Sequence, residues 1–255
     1  MVKKAVHIEI RDEIGWVILN QPNRYNAINF EMIDLLEEGI ARLKNDESVK
    51  ALVITGAGEK AFCSGGDLSA FHQLHSEQEA YSMLSRMGKV LLDLFQFPKP
   101  TVALLNGVAV GGGCEIATAC DIRIASDHVK FGFIQGSLGI TTGWGGTTFL
   151  MERVPKDAAF ELLIRANKIP VTTGLQIGFI QQVFAKETIQ EDFQNWIRPM
   201  LKNTRGVLEA YKQRRLDQID YKTIKKRMNQ EISECSRLWA SDEHHQAVAA
   251  FLKRQ

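Results

Sequence analysis

The sequence contains no apolar run approaching the roughly 20 residues that a membrane-spanning helix requires. Its first residues, MVKKAVHIEIRDEIG, include two lysines but no apolar core, so they do not resemble a secretory signal. Glu9, Asp12 and Glu13 also interrupt the Arg-rich, acid-poor pattern that is typical of transit sequences. We therefore expect a cytoplasmic protein that does not span a membrane.

Cysteine is scarce and no charge predominates. The four cysteines (Cys63, Cys114, Cys120 and Cys235) form no CxxC pair and have no histidine at zinc-ligand spacing. We expect free buried thiols, no disulfide framework and no metal site. With 31 basic and 30 acidic residues, the chain has no overall field that would attract nucleic acid, and no nucleic-acid partner is expected.

Short apolar runs alternate with segments of helical periodicity through residue 125, which predicts an α/β fold with a mostly parallel sheet. Residues 6–12 and 14–19 are expected to form a hairpin, and 51–54, 101–105 and 121–125 buried strands. Beyond Gly146 only helices are expected. The predicted division is an α/β core over 1–190 and a helical region over 191–255. The helices are expected at 30–43, 81–97, 112–119, 147–153, 158–165, 190–201, 207–216 and 221–239.

Two Gly-rich loops, 61–68 and 106–115, each follow a predicted buried strand, and the second opens a helix. Glycine lets a ligand approach the backbone closely, and a helix N-terminus adds positive potential. Two N–H groups that converge on a carbonyl oxygen would form an oxyanion hole. Neither loop is a dinucleotide fingerprint or a phosphate-binding P-loop. Simple tight turns remain the alternative interpretation.

An ordered set of segments resembles the enoyl-CoA hydratase/isomerase (crotonase) family over most of the chain. The segments are LNQP at 19–22, NAIN at 26–29, VITG at 53–56, AFCSGGD at 61–67, PKP at 98–100, NG at 106–107, GGGCE at 111–115, CDIRIA at 120–125, LGI at 138–140, GGT at 145–147 and AAFLK at 249–253. Each segment alone is weak evidence, but their order and spacing are specific. The resemblance implies a spiral of repeated ββα units, followed by a helical trimerisation region.

The resemblance also implies a ligand, an acyl-coenzyme A thioester, with no separate cofactor because CoA enters as part of the substrate. The oxyanion-hole donors are expected to be the backbone N–H groups of Gly66 and Gly112. A homotrimer or a dimer of trimers is expected. The residues expected to contact substrate or CoA are Arg24, Asn26, Ala27, Ser64, Gly65, Asp67, Gly111, Trp144, Phe251 and Lys253.

Two positions carry acidic catalysts in the hydratases of this family. The first is Glu115 here, which is expected to act as a general base or to hold the water. A favourable contact with the helix N-terminus is the alternative. The second, twenty residues on, is Gln135, whose amide donates a hydrogen bond but cannot transfer a proton at neutral pH. A mechanism that uses two glutamates is therefore in doubt.

The stretch WGGTT at 144–148 resembles the branch of the family that decarboxylates short-chain malonyl-type CoA esters. Loss of CO₂ forms the enolate without a base, so an oxyanion hole and an orienting donor would suffice. Simple packing of Trp144 in the pocket is equally compatible with the sequence. We expect an enoyl-CoA hydratase-like lyase. A decarboxylase and a non-catalytic acyl-CoA binder are the alternatives.

Overall fold

A computed structural model describes residues 4–253 of the chain. Strands β1 and β2 form the predicted antiparallel hairpin, in which Val6 pairs with Leu19 and Arg11 with Ile14. The turn residues between them, Asp12 and Glu13, have φ angles of 53° and 61°. The strands of this region are β1 Val6–Arg11, β2 Ile14–Leu19, β3 Ala51–Gly56, β4 Ala61–Cys63, β5 Thr101–Leu105, β6 Val108–Val110, β7 Ile122–Ser126, β8 Lys130–Gly132, β9 Ile169–Pro170 and β10 Gln182–Phe184.

The helices agree with most of the predicted ones, and α4 and α10 have the predicted bounds. Asn29 caps α1 by accepting a hydrogen bond from the Met32 N–H, and Ser76 and Glu79 form a capping box on α3. The helices are α1 Phe30–Asn45, α2 Leu68–Phe71, α3 Glu77–Phe95, α4 Gly112–Ala119, α5 Gly146–Leu150, α6 Lys156–Arg165, α7 Val171–Gln176, α8 Ile189–Leu201, α9 Arg205–Leu216, α10 Tyr221–Trp239 and α11 Asp242–Leu252.

Two sheets organise the core. The six-stranded sheet has the order β1-β2-β3-β5-β7-β10, and all of its pairs after the first hairpin are parallel. The smaller sheet has the order β4-β6-β8-β9. After the first hairpin, successive strands alternate between the two sheets before a helix follows, as in β3-β4-α2 and β5-β6-α4. This alternation is the predicted spiral of ββα units.

The expectation of no strand beyond Gly146 is wrong. β9 joins the smaller sheet beside β8, and β10 closes the edge of the larger sheet beside β7. Both strands have at most three residues, so neither shows a periodicity that could be distinguished from a loop. The equally short β4, β6 and β8 were missed for the same reason.

The C-terminal helices pack directly on the α/β part. Phe193 of α8 packs edge-on against Trp16 of β2, with 5.7 Å between ring centroids, and covers one face of the larger sheet. Helix α10 lies along α3, where Ile232 reaches the backbone of Gly88. Within residues 4–253 no helix is both long enough and apolar enough to cross a membrane.

Candidate active site

The smaller sheet brings the two Gly-rich loops together. β4 and β6 are parallel neighbours, so their carboxyl ends lie side by side. β4 ends immediately before the 64–67 loop, and β6 ends at Val110, immediately before Gly111. A Cβ atom on Gly65 would lie only 3.0 Å from the backbone nitrogen of Gly112. The predicted meeting of the two loops is therefore present.

Both loops leave one N–H group free at the point of contact. In the first loop, the Gly65 carbonyl accepts from Ile28 N–H and Asp67 N–H donates to the Ile28 carbonyl, each over 2.8 Å. Neither Gly66 N–H nor Gly112 N–H has an acceptor among residues 4–253. Gly65 at φ 95° and Gly111 at φ 55° adopt conformations that favour glycine. The two free donors supply the parts of an oxyanion hole.

Trp144 lies against both Gly66 and Gly112. A Cβ on Gly66 would be 3.6 Å from Trp144 Cζ2, and one on Gly112 would overlap the indole ring. The ring is 4% exposed. Any side chain at position 112 would therefore displace Trp144, which explains why glycine is needed there.

Helix α4 connects the hole to Glu115, one turn into the helix. The Glu115 side chain is 3% exposed and accepts several hydrogen bonds from the loop around Trp144. Trp144 N–H and Gly146 N–H each donate to Oε2 over 2.8 Å. Gln135 Nε2 donates to Oε1 over 2.9 Å. The alternative interpretation of Glu115, a simple dipole contact, does not account for this set of donors.

Burial and, to a smaller extent, the nearby carboxyl of Glu231 outweigh the backbone N–H donors and together raise the pKa of Glu115 to about 8. A carboxyl group with such a pKa exchanges its proton near neutral pH. General acid–base catalysis favours a pKa near the working pH. Glu115 therefore has the protonation behaviour of a general acid–base catalyst.

The amide of Gln135 is oriented by Glu115. Its side chain is 8% exposed, and its Oε1 is a buried acceptor without a hydrogen-bond partner in residues 4–253. A Cβ on Gly111 would lie 3.9 Å from Gln135 Cδ, so the amide is adjacent to the second loop. A buried acceptor that lacks a partner among residues 4–253, beside a carboxyl of raised pKa, is a suitable place to hold a polar ligand atom or a water molecule.

The other end of α4 is closed by two buried arginines. Arg123 Nη1 donates to the Cys120 carbonyl over 2.9 Å, and Arg153 donates from Nε to the Thr118 carbonyl over 3.2 Å. Cations at a helix C-terminus stabilise the partial negative charge there. Helix α4 is thus compensated at its carbonyl end, whereas Gly112 N–H at its first position has no acceptor in the described part of the chain, residues 4–253.

The structure places the residues expected along CoA at the edge of the first loop. Asn26 is fully buried, and its amide donates to the Ala57 and Ala61 carbonyls, so its side chain is occupied by internal contacts. Arg24 Nη1 donates to Asp67 over 2.8 Å and is mostly exposed. Ser64 N–H donates to the Tyr25 carbonyl. These residues and buried Ala27 border the loop that contains Gly66.

Phe251 and Lys253 lie at the C-terminal end of α11. His244, near the start of this helix, hydrogen-bonds the Leu138 carbonyl over 2.7 Å. Residue 251 follows residue 244 by seven positions, which is about 10 Å along a helix. Within residues 4–253, the hydrogen bond from His244 to Leu138 therefore connects α11 to the short segment that begins at Gln135.

Sequence reasoning missed a second buried carboxyl, Glu231 of α10. It accepts hydrogen bonds from Thr142 Oγ1 and from the N–H groups of Thr147 and Thr148. A sequence signal existed, because residue 231 falls on the apolar stripe of α10 together with Ile224, Met228, Ile232 and Cys235. A glutamate on a buried stripe requires polar partners, and the loop at 142–148 provides them.

A ββα spiral, two facing glycine N–H groups and a buried carboxyl of raised pKa together define an enzyme of the crotonase fold. A sequence model of the family described as Enoyl-CoA hydratase/isomerase matches residues 9–255. The chain belongs to this family.

Named relatives include both hydratases and decarboxylases. The short-chain-enoyl-CoA hydratase of Clostridium acetobutylicum is 32% identical over 98% of this chain and 95% of its own length. The ethylmalonyl-CoA decarboxylase of Xenopus laevis is 34% identical over 79% of this chain and 68% of its own length. Among solved structures, an enoyl-CoA hydratase from Bacillus halodurans superposes with a TM-score of 0.88 at 26% identity, covering 96% of this chain and 99% of that one.

Proposed function

We propose that the protein adds water across the double bond of a short-chain 2-enoyl-CoA. The observation that supports this most is the position of Glu115, a buried carboxyl with a pKa of about 8, next to the oxyanion-hole glycines. The hydratase from Clostridium acetobutylicum, which is similar over nearly the whole chain, supports the same reaction.

In this mechanism the thioester oxygen accepts hydrogen bonds from Gly66 N–H and Gly112 N–H. Gln135 Oε1 accepts one hydrogen of the water, and ionised Glu115 removes the other proton as the water oxygen bonds to Cβ. The π electrons of the double bond move towards the thioester and form the enolate, which the hole stabilises. Protonated Glu115 then returns its proton to Cα and is ionised again. One carboxyl therefore performs both proton transfers.

The finer assignments of the site belong to the same proposal. We assign Gly66, Gly112, Glu115 and Gln135 to catalysis. The remaining residues would contact the acyl group or CoA: Arg24, Asn26, Ala27, Ser64, Gly65, Asp67, Gly111, Trp144, Phe251 and Lys253. The backbone of Asn26 is meant here, because its side chain is occupied. No separate cofactor takes part, since CoA enters as part of the substrate.

Decarboxylation of a short-chain malonyl-type CoA ester is the second candidate. The amide at Gln135, the Trp144 stretch and the similarity to an ethylmalonyl-CoA decarboxylase favour it. The bond between Cα and the carboxylate breaks, CO₂ leaves, and the electron pair forms the enolate in the oxyanion hole. Protonated Glu115 then donates its proton to Cα. This reaction begins with neutral Glu115, whereas hydration begins with the ionised form.

The test is to incubate the protein with crotonyl-CoA and ethylmalonyl-CoA over a range of pH and to identify the products by mass spectrometry. Hydration should increase as the pH rises through the pKa of Glu115, whereas decarboxylation should decrease. If acetoacetyl-CoA binds by calorimetry but neither ester is converted, the protein is an acyl-CoA binder. If none of the three CoA esters binds at millimolar concentration, the proposed ligand class is wrong.

Assembly and location complete the proposal. Large apolar side chains remain exposed in the single chain, among them Phe160 (58%) and Ile164 (63%), one turn apart on α6. Such a surface favours burial between copies of the chain. We propose a homotrimer or a dimer of trimers in the cytoplasm, assembled by 191–255 together with the exposed apolar face of α6.

A further inference from the structure

Glu231 and Glu115 hold the same loop from two different helices. Glu231 of α10 accepts from Thr147 N–H over 3.1 Å and Thr148 N–H over 2.9 Å. Glu115 of α4 accepts from Gly146 N–H over 2.8 Å. These are the first three N–H groups of α5, which have no acceptor within their own helix. The two carboxyl groups therefore supply the acceptors that fix the start of α5.

Two threonine hydroxyl groups also donate hydrogen bonds to Glu231. Thr142 Oγ1 donates to Oε1 over 2.6 Å, and Thr148 Oγ1 donates to Oε2 over 2.8 Å. Within residues 4–253, none of the ion pairs involves Glu115 or Glu231. Ionising both carboxyl groups costs free energy, because they are buried, bind the same loop and form no ion pair within residues 4–253.

We propose that Glu231 is a positioning residue, which holds the 142–148 loop against Glu115 and, by its own negative charge, retains the proton on Glu115. Glu231 acts through Glu115 and through Trp144, whose N–H binds Glu115 and whose ring contacts Gly66 and Gly112. This role rests on the proposed function only where activity is measured. The coupling of the two carboxyl groups can be tested without any substrate.

The titratable groups around Glu115 and Glu231 are consistent with a proton on Glu115 and a negative charge on Glu231. Burial raises the pKa of Glu231 as well, against the effect of its threonine donors. The other titratable groups near the pair are the thiols of Cys114 and Cys235, and burial raises the pKa of both, so they stay neutral. Cys235 Sγ donates to the Thr141 carbonyl over 3.3 Å. The proton that this cluster loses near neutral pH is therefore the one on Glu115.

The experiment is urea unfolding of the wild type from pH 5 to pH 9, together with Glu231→Gln, Glu115→Gln and the control Ile232→Ala. A carboxyl whose pKa is raised in the folded state makes stability fall as the pH rises, until the folded pKa is passed. Either glutamine variant removes one of the two charges. The pH at which the fall in stability ends, here called the end point, should therefore be about one unit lower than in the wild type. Ile232→Ala, on the same helix and facing α3, should lower stability without moving the end point.

A purely structural Glu231 would give a different result: Glu231→Gln would lower stability equally at every pH, with the wild-type end point unchanged, and this would overturn the proposal. If Glu231→Gln does not fold, 13C NMR of the side-chain carboxyl groups of the wild type replaces it. Glu115 should titrate near neutral pH while Glu231 stays ionised. A Glu231 that stays protonated through this range would also overturn the proposal.

Activity gives an independent readout. If the protein converts a CoA ester, the pH profile of kcat in Glu231→Gln should move down by the same amount as the unfolding end point, with KM little changed. If the wild type converts no ester while the unfolding end point still moves, the proposed function fails and the coupling of the two carboxyl groups stands. If the wild type is active and neither the end point nor the kcat profile moves, the role of Glu231 fails alone.

Discussion

Gln135 donates a hydrogen bond from Nε2 to Oε1 of Glu115 over 2.9 Å, and its own Oε1 has no hydrogen-bond partner among residues 4–253. The residue that departs from the two-glutamate pattern is thus in direct contact with the remaining glutamate. Its amide orients the Glu115 carboxyl and presents an acceptor beside it. The amide and the carboxyl act as one unit, and substitutions at position 135 distinguish the two candidate reactions.

Gln135→Glu is expected to move the two activities in opposite directions. For a hydratase it restores a second carboxyl and should increase the turnover of crotonyl-CoA. For a decarboxylase it places a negative charge near the substrate carboxylate and should decrease the turnover of ethylmalonyl-CoA. The measurement is turnover of both esters, with Gln135→Met as the control that keeps the length but removes the amide. Changes of equal sign for both esters would contradict this account.

Glu115→Gln is expected to reduce turnover by about 10²–10⁴-fold, the usual contribution of general acid–base catalysis. Binding of acetoacetyl-CoA should change much less, because the N–H groups of Gly66 and Gly112 remain. The control is Glu187→Gln at an exposed position, which should keep wild-type activity. Steady-state kinetics and calorimetry give the two quantities. Full activity in Glu115→Gln would remove this residue from the mechanism.

Gly112→Ala is expected to abolish most of the activity. The new methyl group would overlap the Trp144 ring, so either the ring or the loop must move and the hole would be distorted. Loss of one oxyanion-hole donor costs about 10²–10³-fold in kcat. Gly206→Ala is the matched control, because a Cβ there meets nothing within 4 Å. Thermal unfolding of both variants separates loss of the site from loss of the fold.

Asp121→Asn is expected to destabilise the fold by about 3–5 kcal/mol, because it leaves Lys212 buried without its anion. Lys212 Nζ lies 2.5 Å from Asp121 Oδ2. Burial alone would raise the pKa of Asp121, but Lys212 and Arg153 outweigh it and hold the pKa below its ordinary value.

The stability that Asp121 provides is therefore complete above its ordinary pKa and is lost as the pH falls through its lower, folded pKa. Asp121→Asn should unfold at lower urea concentrations near neutrality and show a flatter dependence on acid. Exposed Asp127→Asn should change stability by less than about 0.5 kcal/mol. Equal urea midpoints for the two variants would show that the buried ion pair contributes little.

Light scattering of the wild type at micromolar concentration should give three or six times the mass of one chain. Ile164→Glu places a charge on the exposed apolar face of α6 and should shift the protein towards smaller species. Lys168→Glu, at an exposed position beyond the end of that helix, is the control. A strictly monomeric wild type would contradict the proposed assembly.

Much of this architecture could be predicted from the sequence, because long elements carry their own periodicity. Alternation at 6–19 predicted the hairpin, and the apolar spacing at 221–239 predicted the bounds of α10. Strands of three residues or fewer carry no such pattern, so the smaller sheet was missed. The division at residue 190 stays a prediction.

The site was predicted to a similar extent: its local motifs could be found in the sequence, whereas its contacts between distant residues could not. The Gly-rich loops and Glu115 were visible as local motifs, and the structure brings them together. The position of Glu231 on the apolar stripe of α10 was visible but its partners were not, because they lie at 142–148, more than 80 residues away, and only the fold joins them. The orientation of the Gln135 amide likewise depends on a contact across 20 residues.

The partial charge of the helix dipole of α4 is compensated at one end only. Arg123 and Arg153 neutralise its carbonyl end, while the Gly112 amide lacks an acceptor among residues 4–253. A thioester oxygen would supply that acceptor to the folded chain and has no comparable partner in the unfolded one. A ligand that binds only the folded chain stabilises it, and at 100 times its Kd it adds about 2.7 kcal/mol to the free energy of unfolding. Melting temperature thereby becomes a gauge of occupancy, even for an acyl group that the enzyme does not turn over.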